Sequence, residues 1–185
     1  APPPPSLSGA AATLVRITDG QAYGLEAMLR RSSGRVTGWV GYTLSRSDRN
    51  FPCGQRPADY DQTHILNVVV QARLPWRIDV GSRLYVATGR PDTVISGIPE
   101  RNDALSVRNN VRLPTFVELD VRVDKYWQFS RFYMAVFLEV VNATFSRSVF
   151  YLSTPDTAAN MTVAPPPQEV GFQWILPSIG LRVGF

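Results

Sequence analysis

Three residues stand close enough to raise metal binding: Asp59, Asp61 and His64, within Asp59-Tyr60-Asp61-Gln62-Thr63-His64. Carboxylate and imidazole are metal ligands, and the spacing is permissive. The sequence holds one histidine and one cysteine, however, and offers no second ligand cluster. The expected role of the aspartates is to cap a loop through Asx turns, and no metal or cofactor is expected. A second acidic group, Glu118, Asp120 and Asp124, alternates with Arg122 along one stretch. In a strand these side chains share one face. They point at Arg122 and at arginines of neighbouring strands such as Arg83. That makes a salt-bridge ladder, not a catalytic acid–base pair. The lone Cys53 excludes an internal disulfide. No Ser-His-Asp order, Gly-rich phosphate loop or zinc motif is present, so the chain is not expected to be an enzyme.

The elements that must position these residues read as strands. Of 185 residues, 44% are apolar, 11% aromatic and only 18% charged. Val, Thr, Tyr, Phe and Gly carry the sequence, a composition that leans to strand. The net charge of +4 is mild, and no basic run with interleaved aromatics points to nucleic acid. No apolar run is long enough for a transmembrane helix. No basic, apolar-cored leader opens the chain, as expected of a mature chain, a fragment or both. Residues 1–12 are rich in Pro and Ala and read as a linker or loop remnant; residues 13–185 read as one unit.

Alternation is the dominant pattern. Thr13 to Thr18 reads as a short strand closed by an Asp19-Gly20 turn. Tyr23, Leu25, Ala27 and Leu29 oppose Gly24, Glu26, Met28 and Arg30. Val36 to Leu44, His64 to Leu74 and Ile78 to Val86 continue the alternation, with a polar loop over Ser47 to Asp61. Phe116 to Trp127 is the cleanest strand, with Val117, Leu119, Val121 and Val123 against Glu118, Asp120, Arg122 and Asp124. Phe132 to Phe145 is apolar on both faces, so its orientation is open. At the end, Ile179, Leu181, Val183 and Phe185 oppose Ser178, Gly180, Arg182 and Gly184 within a Trp174 to Phe185 strand.

Connections also alternate. Short ones fall near Ser33, Pro75 and Ser130; long ones span 47–61, 90–114 and 147–172. About seven or eight antiparallel strands joined this way form the pattern of an outer-membrane transmembrane β-barrel, apolar toward lipid and polar toward a lumen. Tyr23, Tyr42, Trp76, Tyr126, Trp127, Phe129, Phe132, Tyr133, Phe145 and Trp174 gather near strand ends, which suits interfacial girdles. In this setting the glycosylation-like Asn142-Ala143-Thr144 and Asn160-Met161-Thr162 are incidental.

Several stretches resemble TonB-dependent outer-membrane receptors. Ala22-Tyr23-Gly24-Leu25-Glu26 is similar to the start of a strand after an extracellular loop. Asp59-Tyr60-Asp61-Gln62-Thr63-His64-Ile65-Leu66-Asn67 is similar to the family's Asp–aromatic–Asp–x–Thr/Arg–His stretch. Arg112-Leu113-Pro114 followed by Leu119 to Lys125 resembles a late barrel strand. Val141-Asn142-Ala143-Thr144-Phe145 sits where the family carries a Val-x-Asn-Leu-Phe-like segment. The family's plug domain and TonB-box peptide have no counterpart in these residues, and its barrel has about twenty-two strands. The resemblance therefore covers its last third.

The resemblance implies import of a large scarce nutrient such as a ferric siderophore, cobalamin or glycan, driven by the TonB complex through a plug outside this chain. It implies that Phe185, with Val183, Leu181 and Ile179, is read by the assembly machinery. Substrate contacts are expected from loops 48–60, 90–112 and 148–173. Expected partners are outer-membrane lipid and further barrel strands with a plug, in the same receptor or a partner chain. The expected location is the Gram-negative outer membrane. A small non-transporting barrel acting as anchor or scaffold, and a soluble β-sandwich or lipocalin-like binder, remain alternatives.

Overall fold

The computed structural model describes residues 19–51, 54–94, 108–153 and 166–185. The expected linker at 1–12, the short strand at 13–18, Cys53 and the Asn160 triplet lie outside the described residues. The described chain is all-β. Its strands are β1 (Gly20–Arg31), β2 (Val36–Phe51), β3 (Gly54–Pro57), β4 (His64–Leu74), β5 (Ile78–Ala87) and β6 (Pro91–Asp92). There follow β7 (Val111–Arg112), β8 (Phe116–Gln128), β9 (Tyr133–Val141), β10 (Arg147–Ser153), β11 (Gln168–Gln173) and β12 (Leu176–Gly184). No helix among the described residues is long and apolar enough to cross a membrane, which bears only on helices.

The main sheet is an antiparallel meander, β1-β2-β4-β5-β8-β9-β12, with β3 folded back on β2. Neighbours in the sheet are neighbours in sequence, as short turns dictate. Residues 32–35, 75–77 and 129–132 make those turns at one end. Pro75–Arg77 is a 3-10 turn in which Trp76 and Arg77 take φ of 62° and 58°. Residues 52–63, 88–115 and 142–175 connect the strands at the other end. Among the described residues the outer edges of β1 and β12 carry no partner strand.

The pairing register sorts the side chains into two faces. One face runs Leu25↔Leu44, Val40↔Val68, Val68↔Leu84, Leu84↔Leu119, Val123↔Leu138 and Leu138↔Ile179. An apolar band thus crosses the whole sheet. The register settles β9 as well: Met134, Val136, Leu138 and Val140 join the band through Trp127, Lys125, Val123 and Val121. The opposite face carries Glu26, Asn67, Gln71, Arg83, Glu118, Asp120, Arg122, Asp124, Glu139 and Arg182.

Much of the apolar band is uncovered among the described residues. Leu25, Leu29, Val40, Leu44, Leu138 and Ile179 are exposed, at 65%, 76%, 40%, 38%, 52% and 76%. Along β2 the apolar positions are the exposed ones, while Thr37, Trp39, Gly41, Thr43 and Ser45 are half-covered. Among the described residues the buried apolar side chains are Phe51, Ala58, Ala87, Leu113 and Ala135. Four of these sit toward the long-loop end, so the small core lies there and not between two layers.

Several expected boundaries are corrected. Gly20 does not close a turn; it opens β1 opposite Arg49. The expected loop over 47–61 contains the end of β2 and all of β3, because Asp48 to Phe51 pair with Gly54 to Pro57. The long loops also hold ladders of their own, β6 with β7 and β10 with β11. The expected strand from Phe132 to Phe145 stops at Val141, where Asn142 takes φ 55°.

Glycines on the polar face of β12 have a packing reason. A Cβ on Gly180 would lie 2.3 Å from the Phe137 ring, which covers that position. Tyr133 covers Gly184 in the same way. A bare backbone beneath an aromatic cross-strand neighbour lets the ring lie flat on the sheet.

Candidate functional site

The polar face carries the expected ladder. Arg83, on β5, donates to Glu118 at 3.3 Å and to Asp120 at 3.0 Å. Register explains this: Arg83 stands opposite Asp120 and diagonal to Glu118. Arg122 grips Asp124 with two nitrogens, at 2.8 and 2.9 Å, and reaches Glu139 at 3.5 Å. Its guanidinium lies 3.8 Å from the centroid of Phe137, the ring that covers Gly180. A two-toothed Arg–carboxylate pair stacked on an aromatic is a rigid arrangement. Two arginines are thus shared among four carboxylates in rows across the sheet.

The long-loop end is a second cluster, joined by contacts remote in sequence. Asp59 accepts from Arg108 at 2.9 and 3.1 Å and from the Asn109 amide at 2.8 Å. Asn109 also donates to the Pro57 carbonyl at 2.7 Å. The hydrogen bond from Asn109 and the charge of Arg108 hold the Asp59 carboxyl below its ordinary range, against partial burial. Asp61 is buried. It takes the Ser47 amide at 2.6 Å and pairs with Arg112, which also donates to the Asp61 and Gly89 carbonyls at 3.1 and 3.2 Å. Gly89 is required by this closeness: a Cβ there would lie 1.7 Å from the Leu113 carbonyl oxygen. The third loop is tied in by Arg90, donating to the Phe150 carbonyl at 3.2 Å, and by Asp92, accepting from the Leu152 amide at 2.7 Å.

Compared with protein-family models, curated proteins and solved structures, the chain matches none. What it does must therefore be argued from these contacts and faces.

The residues singled out in sequence fall as follows. Tyr23, Gly24, Leu25 and Glu26 lie mid-β1 and, with Asp61, border one surface depression of about 500 Å³. Asp61 and His64 do not converge. His64 Nδ1 meets the Tyr42 hydroxyl at 2.7 Å and the rings stack, at the edge of the apolar face. No cluster of three metal-ligating side chains occurs among the described residues. Asn142 is fully buried. Its amide donates to the Ser146 and Trp174 carbonyls at 3.0 and 2.6 Å, and its oxygen accepts from the Ser146 amide and the Thr144 hydroxyl. With its nitrogen so engaged, the Asn142 triplet is a turn lock. Ile179, Leu181, Val183 and Phe185 are exposed along one row, and Phe185 nears the Phe132 ring at 6.3 Å.

Sequence reading missed two pairings, Asp61 with Arg112 and Asp59 with Arg108 and Asn109. Asp61 and Arg112 each belonged to a singled-out stretch, but 51 residues separate them, and no periodic signal links two loops. Of the expected aromatic set, Tyr23 and Tyr42 lie within β1 and β2, while others stand at ends of the sheet. Trp76, Phe129, Phe132 and Phe185 stand at the short-turn end; Phe150, Phe172 and Trp174 stack at the other.

Proposed function

We propose that this chain is the C-terminal barrel portion of a TonB-dependent outer-membrane receptor, which imports a large scarce nutrient of the siderophore, cobalamin or glycan class. The observation that carries the membrane part is the exposed apolar band that crosses the sheet. One face is apolar across seven paired strands, with Leu25, Leu29, Leu138 and Ile179 more than half exposed, and the opposite face holds the charges. In water that band is an aggregation liability far larger than a monomer tolerates. Against hydrocarbon it is the lipid-facing surface of a barrel.

Strand length supports the same reading. The shortest strands of the meander, β9 and β12, have 9 residues and the longest, β2, has 16. About 9–11 residues cross a bilayer in a tilted strand, whereas strands of soluble proteins centre on about 5–6. Aromatics at both strand ends fit interfacial belts. The charged ladder of Arg83, Glu118, Asp120, Arg122 and Asp124 faces the lumen, and the three long connections form the outer, ligand-meeting end. The unpaired edges call for further strands, because an open edge in lipid leaves several kcal/mol of unmet backbone bonding per group. The transport part rests on the family resemblance of the sequence stretches.

The test is the intact mass of the native assembly extracted from the outer membrane, read before and after denaturation. A particle holding this chain with further barrel and plug mass, able to take up a nutrient only when TonB is energised, is the expected result. A lone particle of the chain's own 20.6 kDa plus detergent overturns transport and leaves an anchor or scaffold. Recovery without detergent overturns the membrane reading altogether.

A further inference from the structure

We propose that the short-turn rim of the apolar face seats the phosphate of a phospholipid with a net negative headgroup, between Lys125 and Arg77. The proposal rests on the membrane-barrel reading and adds a lipid partner in the leaflet that the short turns face.

Lys125 breaks the pattern of its face. It follows Val117, Leu119, Val121 and Val123 in one row of β8, and its register partners Ile78 and Val136 are apolar. Its depth explains how a charge stands there. From Val121, near the middle of β8, four residues of tilted strand carry the chain about 10 Å toward the short turns. An apolar band about 25 Å tall ends about 12 Å from its middle, and the four-carbon stem spans the rest. The ammonium therefore stands at headgroup depth. It is also held in place: Nζ donates to the Trp76 carbonyl and lies 5.7 Å from the centroid of the Trp127 ring. An ammonium has three N–H donors, so two remain for a ligand.

The turn beside it is strained. Trp76 and Arg77 both take left-handed φ, 62° and 58°, and neither is glycine. Such strain persists only where the surroundings hold it. Here it sets the Trp76 carbonyl against Lys125 and leaves the Trp76 side chain exposed. Arg77 follows directly, is exposed, and precedes Ile78, the residue opposite Lys125. Two cations thus border one corner with two indoles.

Charge on this rim is unbalanced. The short turns also carry Arg35 and Arg131, and among the described residues no side-chain hydrogen bond or ion pair engages Arg35, Arg77 or Arg131. The carboxylates at this end, Asp79 and Asp124, lie on the polar face, where Asp79 stands opposite Arg73 and Asp124 is gripped by Arg122. At the long-loop end, by contrast, Arg46, Arg108 and Arg112 meet Asp48, Asp59 and Asp61. Unbalanced cations at headgroup depth attract a phosphate diester and repel the ammonium of a zwitterionic headgroup. Short turns of such barrels lie on the periplasmic side, so the lipid belongs to that leaflet.

The experiment uses the native assembly in detergent, titrated with phosphatidylglycerol, phosphatidylcholine or inorganic phosphate, with bound adducts read by native mass. Phosphatidylglycerol is expected to fill one site about tenfold or more tightly than phosphatidylcholine, since each cation near a lipid surface contributes roughly fivefold. Arg77→Gln lowers that preference about fivefold, and Arg77→Gln with Lys125→Gln removes it. Lys125→Arg keeps it, and so does Arg49→Gln, which removes an exposed charge at the long-loop end. Equal affinity for the two lipids in the unaltered protein overturns the proposal. A preference that survives the double variant, or falls as far in Arg49→Gln, overturns it too. Inorganic phosphate that displaces the lipid at equal concentration marks a free-anion site and has the same consequence. These outcomes leave the membrane reading standing. Where the double variant fails to assemble, the unaltered protein and Arg77→Gln still decide. Recovery of the protein without detergent overturns the membrane reading and the proposal together.

Discussion

Replacing Val121 with arginine tests the face assignment at its centre. Val121 lies near the middle of β8, on the apolar face, with Ser82 and Val140 opposite it. The carboxylates of Asp120 and Asp124 and the Arg122 pair project to the other face. An arginine at position 121 finds no anionic partner on its own side. If that side meets hydrocarbon near mid-depth, the substitution costs about 2–4 kcal/mol. At 1.4 kcal/mol per decade this is roughly a 30- to 700-fold loss in the folded-to-unfolded ratio. If that side meets water, the change stays within about 0.5 kcal/mol. Gln71→Arg is the matched control. Gln71 sits on the polar face opposite Gly81 and borders the same cavity as Asp79, Asp124 and Glu139. A new arginine there meets carboxylates and is expected to stay within about 0.5 kcal/mol. The assay is urea unfolding of membrane-inserted protein, followed by gel mobility and the fluorescence of the four tryptophans. Equal midpoints for the two variants, or a larger loss for Gln71→Arg, refute the assignment of faces.

Three further outcomes are expected. Asn142→Ala strands the Ser146 and Trp174 carbonyls and places alanine at φ 55°; the cost is about 3 kcal/mol by urea titration, and Asn142→Gly recovers about 1 of it by relieving the backbone alone. For Asp59, a folded-state value below the ordinary 3.8 means that its contribution is present above about pH 4 and is lost as pH falls through the lower folded value. Protease resistance of the long loops should therefore decline as pH falls below about 4, and Asp59→Asn should remove that pH-dependent component; the same decline in Asp59→Asn counts against the Asp59 tie. Phe185→Ser is expected to lower the amount of inserted protein in outer-membrane fractions without removing any contact of the long-loop cluster, and equal amounts speak against a role for this residue in assembly.

The sequence alone determined the seven long strands of the meander and the short turns between them. A half-exposed strand must alternate with period two, and β8 does so through eight residues from Val117 to Asp124 without a break. Short turns leave the chain no choice but to pair consecutive strands, so the meander was legible from Ser33, Pro75 and Ser130. The β5–β8 ladder was legible too, because Arg83 and the acidic row are complementary across one strand spacing. Where contrast between faces was missing, the signal failed: β9 is apolar on both sides, and only its register against β8 placed Met134 and Leu138 in the band. The tertiary structure alone decided the long-loop end. Asp61 meets Arg112, Asp59 meets Arg108 and Arg90 meets the Phe150 carbonyl across 51, 49 and 60 residues. Such contacts depend on how three loops close over one end of a sheet. Local periodicity does not encode that closure, because it is set by which backbone and side-chain groups remain unpaired once the strands are in place.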